Sequence, residues 1–195
     1  PKINKKENAL KILLINMSGY FSDDTDSQER VLMEPPLGLL ALLSYLNREY
    51  KENIDGKILK SRLDFDSYDE LVKKINNFKP NIIGISVMTF YKKFVHRAIK
   101  HLRDEGIKTP IFLGGPYPTG DYKEVLKDDN IDICMLGEGE NTLSELVNRM
   151  MKNNNKLPDE EVLSKIPGMA FKSKEKILNK VIPEKNYKKL STAVA

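Results

Sequence analysis

The chain has 195 residues, 40% of them apolar and 31% charged, with 10 Pro, 11 Gly, no Trp and a single Cys. That suits one sizeable core plus an appendage, with no disulfide within the chain and no metal cluster held by several of its own cysteines. The formal charge of +4 is unevenly placed: Met151 to Ala195 carries ten Lys against five Asp or Glu, which leaves the first 150 residues close to neutral. This reads as a lysine-rich tail on a neutral body, not as a nucleic-acid surface, because only Tyr187 is interleaved with the lysines. The longest apolar run, Leu37 to Leu43, is far short of a membrane span, and no secretory leader opens the sequence. A cytoplasmic protein is expected.

Lys11 to Asn16 is a short apolar run of the kind that forms a strand buried on both faces. Pro35-Pro36 then opens a helix whose apolar positions are Leu37, Leu39, Leu40, Leu43 and Leu46. A second strand is predicted within 54–63. Ser67 stands three residues before Glu70 as a capping box, Leu71, Val72, Ile75 and Phe78 follow at helical spacing, and Lys79-Pro80 stops that helix. Asn81 to Met88 is the third strand, and Phe94, Val95, Ala98, Ile99 and Leu102 stripe the next helix, which ends at Glu105-Gly106. Pro110 to Gly115 is the fourth strand, Tyr122 to Leu126 a short helix, Ile131 to Leu136 the fifth strand, and Thr142 to Met150 a last helix. Gly168–Lys172 and Lys176–Asn179 form a small hairpin around Lys174-Glu175. The alternation predicts an α/β fold: a Rossmann-like, flavodoxin-like, five-stranded parallel sheet with helices on both faces, plus a C-terminal hairpin. The boundary is expected near residue 152, with 153–195 as hairpin extension and linker.

Open parallel sheets bind ligands beyond the carboxyl ends of their strands. The loops there are Asn16 to Tyr20, Ser86 to Phe90, Gly114 to Gly120 and Gly137 to Glu140. Three are rich in Gly or small hydroxyl residues, which let backbone approach a bulky ligand and hydrogen-bond it. Other chemistries lack their signatures. Gly137-Glu138-Gly139-Glu140 has no following Lys-Ser or Lys-Thr, and no Gly-x-Gly-x-x-Gly follows the first strand. A receiver domain needs an acidic pair and a Lys where Asn16 and Leu136-Gly137 stand. Asp64 and Asp66 read as turn and cap. His96 and His101, five apart on one helix, face different ways and read as surface or partly packed side chains, and Cys134 reads as a core thiol. No catalytic or metal-ligating residue is assigned.

The loops and strands together resemble a known family. Lys11–Asn16, Pro35-Pro36-Leu37-Gly38-Leu39-Leu40-Ala41, Ser67–Leu71, Lys79–Ser86, Phe112-Leu113-Gly114-Gly115-Pro116-Tyr117-Pro118-Thr119, Ile131–Glu140 and Ile166–Phe171 follow one another as in the N-terminal cobalamin-binding domain of the cobalamin-dependent radical S-adenosylmethionine enzymes. The resemblance covers about Lys11 to Leu178. It implies that cobalamin lies across the carboxyl rim of the sheet. Its nucleotide tail would lie beside Ser86, Val87, Met88 and Thr89 and beside Gly114, Gly115, Pro116 and Thr119. Gly137, Glu138 and Gly139 would border the tail, and Ser18, Gly19 and Tyr20 would approach the corrin. It further implies a parent methyltransferase or cyclase, such as the Mg-protoporphyrin monomethyl ester cyclase type, with S-adenosylmethionine and a [4Fe–4S] cluster on a C-terminal barrel. Three cluster cysteines are absent here, so this chain is expected to bind cofactor and to act through that missing barrel. The sequence departs from the family at Tyr117, where His is common. It also lacks Asp-x-His-x-x-Gly, since Phe94 and Ile99 precede His96 and His101 by two residues, so a lower cobalt face without histidine is expected. The competing expectation is a stand-alone flavodoxin-like sensor or interaction domain without a corrinoid.

Overall fold

The computed structural model describes residues 6–17, 20–22, 35–173 and 176–179. Their elements are strands β1 (Leu10–Asn16), β2 (Ile54–Lys60), β3 (Ile82–Ser86), β4 (Ile111–Gly114), β5 (Ile133–Met135), β6 (Met169–Ser173) and β7 (Lys176–Asn179), with helices α1 (Leu37–Tyr50), α2 (Tyr68–Phe78), α3 (Lys92–Asp104), α4 (Pro116–Val125), α5 (Gly139–Lys152) and α6 (Glu160–Leu163). One sheet runs in the order β2-β1-β3-β4-β5-β6-β7. Its first five strands are parallel, and β6 and β7 add to the β5 edge as antiparallel strands. The five-stranded parallel sheet and the hairpin are thus both present. The hairpin is joined to the sheet because apolar Met169, Ala170 and Phe171 continue the buried layers beside Met135, Cys134 and Ile133.

Side chains alternate across a strand, so each parallel strand feeds two cores. Leu13 and Ile15 of β1 join the core under α2, α3 and α4, whereas Ile12 and Leu14 join the core under α1 and α5. That double burial is why the central strands β3, β4 and β5 carry no charged residues, whereas the edge strand β2 admits Asp55 and Lys57. The Ser67 cap accepts from the Glu70 N–H at 3.2 Å, and Glu70 Oε2 returns a bond to the N–H of Asp66 at 2.7 Å. Asp64 Oδ2 accepts from the N–H of Lys60 at 2.7 Å and closes the turn expected there, whereas the Asp66 carboxylate is not a cap: it accepts from the N–H of Ser22 at 2.9 Å and ties that residue to this junction.

Two local expectations change. Pro116 to Thr119, read as loop, is the first turn of α4, with a kink at Asp121. Proline at the start of a helix sacrifices no intrahelical bond and pre-sets the helical φ, and Gly115 at φ +100° makes the entry from β4. Likewise α5 begins at Gly139 and not at Thr142, so half of the Gly137–Glu140 segment is helical.

Cys134 is fully buried in β5, and that burial pushes its thiol up to about 12. The thiolate is the reactive species. Iodoacetamide labelling of native protein at pH 8 is therefore expected to be at least a hundredfold slower than in 6 M guanidinium; labelling at the denatured rate would contradict this packing.

Candidate functional site

Strand order reverses between β1 and β3: β2 lies to one side of β1, and β3 and later strands lie to the other. Crossover helices leave in opposite directions there, and a crevice opens at the carboxyl ends. Register brings Lys60, Asn16, Ser86 and Gly114 into one row across those ends. Paired residues of parallel strands share a face, so this polar row tops the side covered by α1 and α5. One layer below lie Ile58, Leu14, Gly84, Phe112 and Ile133.

Gly84 is the exception in that apolar layer. A Cβ on it would stand 2.1 Å from Cζ of Phe112. The phenyl ring therefore lies on bare backbone of β3, where any other residue would push it away. Above it opens a cavity of about 620 Å³, lined by the polar row, by Gly84, Phe112 and Met135, by the first turns of α1 (Leu37, Gly38, Leu39, Leu42) and by Gly137, Glu138, Gly139 and Glu140. Arg62, Met88, Phe90, Tyr91 and Gly115 complete its lining. The two helical walls are tied together: the Tyr50 hydroxyl of α1 donates to the Ser144 carbonyl of α5 at 2.8 Å, and Leu42 packs where a Gly139 side chain would be.

The rim glycines differ in what they do. Gly114 has open space around its missing Cβ. Gly115 has φ +100°, and a Cβ there would meet the Val87 carbonyl at 3.1 Å, so backbone conformation demands it. Gly137, at φ +72°, makes the turn from β5 into α5 and donates its N–H to Thr119 Oγ1 at 3.1 Å. Lys60 and Arg62 stand at the β2 end of the cavity, and Glu138 and Glu140 stand at the α5 end. Two buried oxygens of lining residues, Asn16 Oδ1 and Glu140 Oε2, accept no hydrogen bond from the described residues. Buried acceptors without partners are costly, which marks the walls as built for something that donates.

Of the residues expected at the site, Ser86, Met88, Gly114, Gly115, Gly137, Glu138 and Gly139 line the cavity. Val87, Thr89, Pro116 and Thr119 do not. Val87 is fully buried and acts through its backbone, accepting from the Tyr117 N–H at 3.2 Å, and Thr119 holds the turn at Gly137. The Tyr20 ring packs on Tyr91 and Phe94, and its hydroxyl donates to the Phe90 carbonyl at 3.3 Å. Ser18 and Gly19 lie outside the described residues. Reading loops alone missed Gly84 and Phe112. Period-2 alternation carries the face of Ser86 down to Gly84 and that of Gly114 down to Phe112, and this signal was available.

The histidines are elsewhere. His96 Nδ1 is 2.6 Å from Asp128 Oδ2, and its Nε2 is 3.1 Å from the Tyr117 hydroxyl. His101 lies 3.3 Å from Asp69. Neither lines the cavity, and the described residues contain no cluster of three or more His, Cys, Asp or Glu placed to hold a metal.

A sequence model of the B12 binding domain matches residues 29–147, more than half of the chain. The chain belongs to the B12-binding domain family. Among curated relatives it is 28% identical over 146 residues to the uncharacterized methyltransferase PH0819 of Pyrococcus horikoshii, covering 74% of this chain and 29% of that protein. It is 29% identical over 147 residues to the anaerobic magnesium-protoporphyrin IX monomethyl ester cyclase of a Synechocystis species, covering 74% and 28% respectively. The chain therefore spans less than a third of these relatives. Its fold is shared with the radical S-adenosylmethionine methyltransferase TsrM of Kitasatospora setae, solved with cobalamin and a [4Fe-4S] cluster bound (TM-score 0.67, 16% identity, 89% of this chain and 29% of that one). It is also shared with the cobalamin-dependent S-adenosylmethionine radical enzyme OxsB with aqua-cobalamin bound (TM-score 0.71, 19% identity, 92% and 23%). The B12-binding family's α/β fold thus agrees with the parallel sheet described above, and no helix among the described residues is long and apolar enough to cross a membrane.

Burial pushes the Asp128 carboxyl up, but hydrogen bonds from His96 and from the Asn130 backbone and side chain outweigh it and hold it below its ordinary value of 3.8. A depressed carboxylate stabilises the fold above that ordinary value and loses the contribution as pH falls through the lower, folded value. Asp128→Asn is expected to destabilise the domain by about 1–2 kcal/mol at pH 7. In urea melts at successive pH values the deficit is expected to shrink below about pH 4; a pH-independent deficit would contradict the assignment.

Proposed function

We propose that this chain is the cofactor-carrying part of a larger cytoplasmic enzyme, and that the cavity at the β1/β3 crevice receives the nucleotide tail of cobalamin. The observation that carries this reading is the Phe112 ring laid on the bare backbone of Gly84, with open space at Gly114 on the rim, which leaves an apolar slot with a polar mouth at the place where an open parallel sheet takes ligands. The slot fits the chemistry of the tail. Phe112, Met135, Leu39 and Leu42 supply apolar walls for a flat heterocyclic base, and Ser86 and Asn16 supply hydroxyl and amide groups beside a ribose or a corrin amide. Asn16 Oδ1 and Glu140 Oε2 gain donors, which the described protein does not provide.

When bound, cobalamin supplies a cobalt centre able to take up and hand on a methyl group. The residues of this chain hold and orient the cofactor: β3 and β4 present Ser86 and the open edge at Gly114, and the first turns of α1 and α5 close over the base. Both histidines lie on the far side of the sheet, away from the cavity, His96 between Asp128 and Tyr117 and His101 beside Asp69. The likeness to a methyltransferase and to a cyclase, each more than three times the matched length, supports a parent enzyme that pairs this domain with S-adenosylmethionine and a [4Fe–4S] cluster held by another domain. Residues 153–195 are read as hairpin extension and connector.

Purified chain incubated with hydroxocobalamin and gel-filtered is expected to retain the corrin spectrum at close to one equivalent. Gly114→Leu tests the placement, because Gly114 has open space around its Cβ and no positive φ to lose. The variant is expected to melt within about 3 °C of wild type, consistent with a surface-like site, and to lose at least 95% of the retained corrin. Undiminished retention would remove the tail from this slot.

A further inference from the structure

We infer that Arg62 is an anion-recognition residue of the cavity and that the anion it takes is the phosphodiester of a corrinoid's nucleotide loop. This rests on the cobalamin reading above.

Three features of Arg62 carry the inference. Its backbone is left-handed, at φ +64°, although no glycine or asparagine stands there. A long side chain in that region is strained and persists only where neighbours over-determine it. They do so here: the Arg62 N–H donates to the Phe65 carbonyl at 2.7 Å, Ser61 bridges to Phe65, and the Asp64 N–H and carboxylate both bond back to Lys60. The turn therefore places Arg62 by construction.

Second, its guanidinium has no hydrogen bond or ion pair with any described residue. Every other described arginine is engaged: Arg48 with Glu49, Arg103 with Asp132, Arg149 with Glu145, and Arg97 also has a partner. The acids nearest in sequence are already committed, Asp64 to the Lys60 N–H and Asp66 to Ser22. Third, Arg62 lines the cavity, at the end opposite Glu138 and Glu140. The cavity is thus polarised, and an anionic group is favoured at the β2 end.

Guanidinium presents a planar fork that matches two phosphate oxygens. Cobalamin carries one such anion, the phosphodiester that joins its corrin arm to the ribose, while its other peripheral groups are neutral amides. With the base in the apolar slot over Phe112, the diester belongs at the mouth, where the polar row and Arg62 lie.

The test compares two ligands. Hydroxocobalamin has the nucleotide loop, and diaquocobinamide lacks the phosphate, ribose and base. Both are titrated spectrophotometrically into wild type, R62M and R62K, with melting temperature as the fold control. R62M is expected to weaken hydroxocobalamin at least tenfold and to leave cobinamide within twofold, with R62K between. The wild-type cobalamin affinity is expected to fall with added NaCl more steeply than that of R62M. Two results would overturn the inference: R62M binding cobalamin within twofold of wild type, or R62M weakening both corrinoids alike. Wild type that binds neither corrinoid would defeat the cofactor reading itself, and this inference with it.

Discussion

The phenyl ring of Phe112 lies on the backbone of Gly84, and the rest of the site follows from that contact. A parallel strand buried on both faces normally fills both layers with branched side chains. Here the place of the missing Gly84 Cβ is taken by the Phe112 ring, which lies down on β3, and a cavity opens above it at the crevice where strand order reverses. The helices cannot collapse into the space, because the Tyr50 hydroxyl ties α1 to α5 and Leu42 is seated against Gly139.

The two sides of the sheet have separate duties. On the α2/α3/α4 side the core is closed and aromatic: Phe21 packs on Phe65, Tyr68 and Phe94, and His96 ties α3 to α4 by bonding Asp128 through Nδ1 and the Tyr117 hydroxyl through Nε2. On the α1/α5 side the upper rim carries glycines, together with acceptors and a guanidinium that have no partner among the described residues. Rigidity on one face lets the other hold an open, polarised cleft. The Tyr117 N–H bonded to the Val87 carbonyl carries that rigidity to the loop where Gly115 turns.

Most of the fold was legible because apolar runs and helical stripes report burial directly. The five parallel strands, the capping box at Ser67 and the hairpin were all readable. Register was not, since pairing is set by tertiary contacts; so the row Lys60–Asn16–Ser86–Gly114 appeared only in three dimensions. The start of α4 was hidden because Pro116 and Pro118 signal a turn and a helix start equally well, and the four-residue α6, opened by the Asp159 cap, is too short to show a period. The family resemblance pointed to the correct rim but to loops rather than strand interiors. It therefore reached Ser86 and Gly114 and passed over Gly84, Phe112 and the positive-φ Arg62.

The central claim is that the layer above Phe112 is the seat of the cofactor's tail. Backbone amide spectra of labelled protein with and without hydroxocobalamin test it most directly. The account predicts that the largest shifts fall on Gly84, Ser86, Phe112, Gly114 and Gly139, with the α3 face around His96 little changed. Retention of the corrin with shifts clustered on α2, α3 or the β6–β7 edge would contradict it.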